Sequence, residues 1–272
     1  MPVTGETIRL SRLFSEGKNA VVVAVDHGLY FGPLEGMINL PEVIHKAAGA
    51  DAILMAPGMP AHCQEVFGKR GAPACIIRLN WGSNYAAMWN YKHSYSVPMI
   101  TVAEAVAQGA DLVISSLSLK NPDEMEDAHN VEVFSNGVAQ AHALGIPLVG
   151  EVYPTGGDDH QPEELQDEIF VGCRIIAELG ADLVKTFYTG KGFKEIIAAT
   201  PVPVLALGAK KLPKESDVLK LAAVSIEAGA RGIVYGRNVI QSKHPDRLLD
   251  ALKEVVKEFQ APDKVAAKYK LE

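Results

Sequence analysis

Eight short apolar runs, spread along the whole chain, limit what this sequence can fold into more than any other feature. They read VVVAV at 21–25, AILMA at 52–56, CIIRL at 75–79, LVISS at 112–116, PLVGEV at 147–152, DLVKTF at 182–187, VPVLAL at 202–207 and GIVYG at 232–236. Runs this apolar, without strict polar alternation, describe strands covered on both faces, as parallel strands are. Helical patterns lie between most of them. The clearest is the last, where Leu248, Leu249, Leu252, Val255, Val256 and Phe259 share one face behind Pro245; similar patterns fill 163–179 and 214–228.

Four segments echo one another: GADAILM from 49, GADLVIS from 109, GADLVKT from 180 and GARGIVY from 229. Each sets a helix-ending glycine ahead of a strand, which marks the second, fourth, sixth and eighth strands as equivalent units of one closed architecture. Their irregular spacing excludes a solenoid. Eight βα units in 272 residues predict a single-domain (β/α)8 barrel over 1–272, with its core at about 20–260 and a C-terminal extension at 261–272 that could pack on a neighbour. The competing fold, a doubly wound open sheet, would show fewer strands and a GxGxxG turn, and none follows the first run. The third strand is followed by a long connection, NWGSNYAAMWNYKHSYSVP, with few regular signals. Its Trp81, Tyr85, Trp89 and Tyr91 either stack on a substrate or close over the barrel mouth.

A chain that is 48% hydrophobic and 22% charged suits one large core. Its net charge of −7 attracts neither nucleic acid nor an anionic membrane, so any phosphate site must be local. Cys63, Cys75 and Cys173 show no CxxC spacing, no 18 consecutive apolar residues occur, and the first residues lack a secretory leader pattern. The expectation is a cytoplasmic protein.

Barrel enzymes carry their chemistry on the loops at the carboxyl ends of strands, and the reactive residues of this chain fall there. Asp26 and His27 end the first strand, Glu151 and Tyr153 the fifth. Gly208 follows the seventh, and Gly236 and Arg237 follow the eighth. Lys185 stands out inside DLVKTF, where the ammonium must enter the barrel or lie against a helix. Burial disfavours the charged form of a lysine, as an amine that attacks a carbonyl requires. The same placement also suits a lysine held by a buried carboxylate in a structural ion pair, and the residues alone leave both readings open.

Six segments, VDHG at 25–28 with GPLEGM at 32–37, VYPTG at 152–156, VKTFYTG at 184–190, GAKK at 208–211 and GRNVIQSKHP at 236–245, resemble in their order the DeoC/LsrF-type class I aldolase family. The similarity runs from about 20 to 260 and is greatest to the archaeal-type fructose-bisphosphate aldolases, the aminodideoxyheptulosonate synthases and the autoinducer-2 phosphate thiolase. It implies that Lys185 forms a Schiff base, that Tyr153 donates a proton and that Asp26 accepts one. His27, Gly208, Ala209, Gly236 and Arg237 are then expected to bind substrate, with the phosphate on the backbone of the last two loops and Arg237 adding a bidentate contact.

The chain departs from the pattern twice. It carries Gly208 and Ala209 where many relatives have two glycines, and Thr155 where several read YPRG. The resemblance implies a lyase acting on a phosphorylated ketose, most like a fructose-bisphosphate aldolase, with no cofactor and no metal. It also implies a homo-oligomer of rings or stacked rings. The histidines are scattered without HxxxH or HExxH spacing, which argues against a zinc-dependent aldolase. The alternatives are a transaldolase-like synthase, a thiolase, or a silent phosphosugar-binding barrel. Tyr153 argues against the thiolase. Asp26, Tyr153 and Lys185 together argue against the silent binder, which needs only the phosphate loops.

Overall fold

The computed structural model describes residues 4–91, 93–155 and 162–272; Gly156 of the VYPTG segment and His160 lie outside them. The strands are β1 (Ala20–Ala24), β2 (Ala52–Met55), β3 (Ala74–Arg78), β4 (Asn80–Gly82), β5 (Ser96–Pro98), β6 (Leu112–Leu117), β7 (Leu148–Val152), β8 (Leu183–Phe187), β9 (Val204–Leu207) and β10 (Gly232–Tyr235). All except β4 and β5 join in parallel in the order β1-β2-β3-β6-β7-β8-β9-β10, and β10 returns to β1, closing a (β/α)8 barrel. Each apolar run falls on one barrel strand.

The helices are α1 (Thr4–Leu13), α2 (Gly28–Phe31), α3 (Leu40–Ala47), α4 (Gln64–Phe67), α5 (Val102–Ala107), α6 (Glu124–Leu144), α7 (Pro162–Glu178), α8 (Phe193–Ala199), α9 (Glu215–Glu227), α10 (Arg237–Ile240), α11 (Pro245–Lys257) and α12 (Pro262–Tyr269). Local chemistry sets their ends. Thr101 and Glu104 form a capping box at the start of α5, and Asp123 caps α6 through the amide of Met125. Gly145, at φ 64°, stops α6 in the left-handed region.

Strand parity sorts the side chains into two layers. Ala20, Val22, Ala24, Leu54, Ile76, Ile114, Val149, Leu183, Leu205 and Val234 fill the barrel interior, while Val21, Val23, Ile53, Ile77, Val113, Leu148, Val184, Val204 and Ile233 face the helices. Helix α1 plugs the amino-terminal end of the barrel with the fully buried Leu13, backed by Leu10 and Phe14. At that same end the repeated GAD segments show their purpose. Asp51, Asp111 and Asp182 each accept an amide N–H from the first or second residue of the preceding barrel strand, from Val21 at 2.7 Å, Cys75 at 3.0 Å and Leu148 at 2.8 Å. These carboxylates satisfy donors that the ladder leaves open, so the repeat is a device for joining strands.

Two segments take a form that the sequence left open. The long connection after β3 contains regular structure, because β4 and β5 pair antiparallel, Asn80 with Pro98 through Gly82 with Ser96, and hold the aromatic segment between them as a flap. The segment at 261–272 lies on the chain's own surface: α12 packs against α9 and α11, with Val265, Ala266 and Leu271 buried.

Candidate active site

The parity that fills the barrel with aliphatic side chains continues for one more residue on four strands, and there the side chains are charged. Asp26 follows Ala24, Arg78 follows Ile76, Glu151 follows Val149 and Lys185 follows Leu183, so all four point inward above the apolar layer. They form one buried array. Arg78 donates from Nε to Asp26 at 2.6 Å and from Nη2 to Glu151 at 2.6 Å, and the other oxygen of Glu151 pairs with Nζ of Lys185. Glu151 and Lys185 are Cα partners across the β7–β8 ladder, so the barrel's own register brings this pair together. The four residues are between 1% and 7% exposed, and their charges cancel two against two.

Burial alone would push both carboxyls up. For Asp26 the attraction of Arg78 and Lys185 outweighs it and holds the carboxyl below its usual range. For Glu151 the same two cations hold it down to about 2. His27 responds in the opposite sense. Burial, assisted by Arg237, Lys185 and Arg78, lowers its imidazole to about 4 against the pull of Asp26, so the ring is neutral near pH 7. Its Nδ1 lies 3.9 Å from Asp26, beyond hydrogen-bond range.

Above the array a cavity of about 590 Å³ opens at the carboxyl end of the barrel, a size that suits a sugar phosphate. All eight expected site residues line it: Asp26, His27, Tyr153, Lys185, Gly208, Ala209, Gly236 and Arg237. Tyr153 stands beside the array, stacked on Tyr85 at 3.9 Å between ring centroids and tilted against Phe187 at 5.6 Å. Its backbone is pinned from both sides, by its own amide on Leu117 O at 3.3 Å and by the Ser118 hydroxyl on its carbonyl at 2.6 Å.

The β9 and β10 loops form the wall between the strands that carry Lys185 and Asp26. Gly236 has to be glycine, since a Cβ there would stand 2.2 Å from the His27 ring and 2.8 Å from the Ala24 carbonyl oxygen. Ala209 adopts φ 47°, a left-handed conformation that costs a non-glycine residue about 1 kcal/mol. Its carbonyl accepts from Nη2 of Arg237 at 2.9 Å. Asn238, buried on α10, ties the two loops together by donating to Gly208 O at 2.7 Å and Lys210 O at 3.3 Å and accepting from the Leu212 amide at 2.8 Å.

Among the described residues no group of three or more His, Cys, Asp or Glu is placed to hold a metal ion, and no helix is long and apolar enough to cross a membrane.

A family model described as DeoC/LacD family aldolase matches residues 20–242, the span that carries the whole barrel and this cavity. The chain belongs to the DeoC/LacD aldolase family. It is an enzyme, an aldolase, on the (β/α)8 fold that its strands predicted. An uncharacterized aldolase of Saccharolobus solfataricus is 35% identical over 263 residues, covering 93% of this chain and 95% of that one. The 3-hydroxy-5-phosphonooxypentane-2,4-dione thiolase of Escherichia coli is 30% identical over 279 residues, 97% and 87% of the two chains. Among solved structures, an archaeal fructose-1,6-bisphosphate aldolase, with its catalytic lysine bound covalently to the carbinolamine intermediate of its substrate, aligns with a TM-score of 0.77. It is 28% identical and covers 92% of this chain and 99% of that one.

The cavity is also lined by residues that the sequence did not single out. Arg78 carried a usable signal, a charge inside CIIRL at the same inward parity as Lys185. Asn84 was visible only as part of an aromatic loop; it donates to Ser118 Oγ at 2.8 Å and Pro154 O at 3.3 Å, bracing the Tyr153 turn. Of the four flap aromatics, Tyr85 is buried inside the cavity and Tyr91 lines its rim, whereas Trp89 is 64% exposed. Glu151, named from the sequence only for its place at the end of the fifth strand, is the ion partner of Lys185.

Proposed function

We propose that this aldolase reversibly breaks a carbon–carbon bond in a phosphorylated ketose through a Schiff base on Lys185, in the manner of a fructose-bisphosphate aldolase. The observation that carries the reading is the position of Lys185 Nζ. It sits inside the barrel at the floor of the cavity, with Asp26 and Tyr153 around it and the β9 and β10 loops between the strands of Lys185 and Asp26. Lys185 gives up its ammonium proton to solvent, the neutral amine adds to the substrate ketone, and the resulting carbinolamine takes up a proton on its hydroxyl and loses water to give an iminium. Asp26, ionised beside Arg78, takes the proton of the hydroxyl two carbons from the iminium. The electron pair of the bond between those two carbons moves into the iminium, releasing an aldehyde and leaving an enamine. Tyr153 supplies the proton that the enamine carbon takes up, and hydrolysis frees the ketone and Lys185. The phosphate is held by the backbone of Gly208, Ala209 and Gly236 with Arg237, and neutral His27 supports that wall beside Gly236.

The same reading carries a cytoplasmic location, where the buried free thiols of Cys63, Cys75 and Cys173 stay reduced. It also carries a homo-oligomer, for which the exposed Met88, Trp89 and Tyr91 offer apolar contact area.

Borohydride reduction in the presence of a panel of ketose phosphates tests it. A covalent adduct is expected on Lys185 by peptide mass spectrometry, together with loss of both adduct and cleavage in Lys185→Ala. Cleavage retained by that variant, or no adduct with any ketose phosphate, would reject the mechanism.

A further inference from the structure

Three hydrogen-bond donors at the cavity wall formed by β1, β3 and the flap have no acceptor. Arg78 spends Nε on Asp26 and Nη2 on Glu151, but its Nη1 is buried and unpartnered, as are the hydroxyls of Tyr30 and Tyr85. The three residues are 1%, 5% and 8% exposed and line the same cavity as Lys185. They also form one unit: the tyrosine rings stack at 4.7 Å, and the guanidinium lies 5.8 Å from the first ring and 5.3 Å from the second. Buried donors are satisfied in nearly all folded proteins, so three left open at one wall of an active cavity call for oxygen atoms from a ligand.

Charge decides what kind of ligand. The positive charge of Arg78 is already answered by Asp26 and Glu151, and with Lys185 the array sums to zero. A phosphate or carboxylate placed there would meet two carboxylates with no net attraction, whereas a hydroxyl or carbonyl oxygen needs only the donors. The remaining cations that line the cavity among the described residues, Lys210 and Arg237, stand on the loops after β9 and β10, and β9 lies across the ring of strands from β3, which carries Arg78.

We infer that Arg78, Tyr30 and Tyr85 bind the aldehyde half of the substrate, and that this half is an uncharged hydroxyaldehyde. The ketose then carries a single phosphate, at the end held by the β9 and β10 loops. This rests on the Schiff-base reading above and narrows it: the chemistry is that of a fructose-bisphosphate aldolase, and the substrate lacks the second phosphate.

Dihydroxyacetone phosphate trapped with borohydride, and condensation of the same ketone with glyceraldehyde or with glyceraldehyde 3-phosphate, separate the two claims. The expected result is an adduct on Lys185 and a kcat/KM at least about tenfold higher for glyceraldehyde, the factor that about 1.4 kcal/mol gives. Tyr85→Phe and Tyr30→Phe, which keep the rings and remove single donors, are each expected to raise KM for glyceraldehyde about 3- to 10-fold, more than they lower kcat. An adduct with equal or better use of the phosphorylated aldehyde, with no condensation of either aldehyde, or with both tyrosine variants unchanged, overturns the inference and leaves the Schiff base standing. No adduct overturns both.

Discussion

Lys185 and Glu151 face each other across the β7–β8 ladder as register partners, and their side chains close an ion pair inside the barrel. The second oxygen of Glu151 takes an N–H from Arg78, so one carboxylate answers two buried cations. Removing half of such a set leaves the other half uncompensated in a medium that solvates it poorly. Glu151→Gln, nearly isosteric and uncharged, is therefore expected to lower the unfolding free energy by about 3–5 kcal/mol in urea titrations. A loss under about 1 kcal/mol would mean that water already solvates the array.

Acid should weaken the fold in two stages. His27 is held near 4 when folded, against 6.5 when exposed, so below pH 6.5 the unfolded chain takes up a proton that the native ring refuses. That contribution is complete above pH 6.5, fades toward pH 4, and is of the order of 3 kcal/mol. Glu151, near 2 when folded against 4.5, adds a similar amount that is complete above pH 4.5 and fades toward pH 2. Asp26, shifted the same way, acts in the second stage as well. Unfolding curves taken at intervals from pH 7 to 3 should show the upper slope flattened in His27→Gln and the lower one flattened in Glu151→Gln. Unchanged slopes would contradict the burial of these groups.

The barrel was legible because parallel strands buried on both faces leave continuous apolar runs that nothing else in the sequence imitates. Lys185 was legible for the converse reason, as a charge inside such a run. Arg78 is equally anomalous in CIIRL, but its meaning depends on Asp26 and Glu151, which lie 52 and 73 residues away in the chain and meet it only once the barrel closes. The flap was illegible because β4 and β5 have three residues each, too few to show a period of two. Tyr30 sits in a four-residue helix with no pattern of its own, and its stacking on Tyr85 is a product of the flap folding back.

Ala209 takes the place of the second glycine that the family resemblance leads one to expect, and its φ of 47° is the backbone conformation that such a glycine would serve. Ala209→Gly removes about 1 kcal/mol of steric strain and gives back part of it as added freedom of the unfolded chain. The net expectation is a gain of roughly 0.5 kcal/mol in stability, with tighter inhibition by inorganic phosphate as the amides of the β9 loop become easier to reach. Weaker phosphate inhibition in this variant would show that the methyl group helps to shape the cradle.

Asn238 offers the sharpest test of the phosphate wall because its side chain joins the two loops without reaching the array beneath. Its amide nitrogen donates to the carbonyls of Gly208 and Lys210, and its oxygen accepts from the Leu212 amide. The space around it is tight, since a Cβ on Gly208 would stand 3.0 Å from the Asn238 nitrogen. Asn238→Ala leaves one amide and two carbonyls without these partners, which should cost about 1–3 kcal/mol of stability. It should also raise KM for a ketose phosphate about tenfold with little change in kcat, because the loop loses its preset shape while Lys185, Tyr153 and Asp26 keep theirs. Asn238→Asp keeps the acceptor for Leu212 but turns the donating end into an oxygen facing two carbonyl oxygens, so it should be the worse of the two at neutral pH and recover in part as the solution is acidified. If both variants bound phosphate as the parent does, the β9 loop would hold its shape without this clamp, and the phosphate would have to be recognised elsewhere in the cavity.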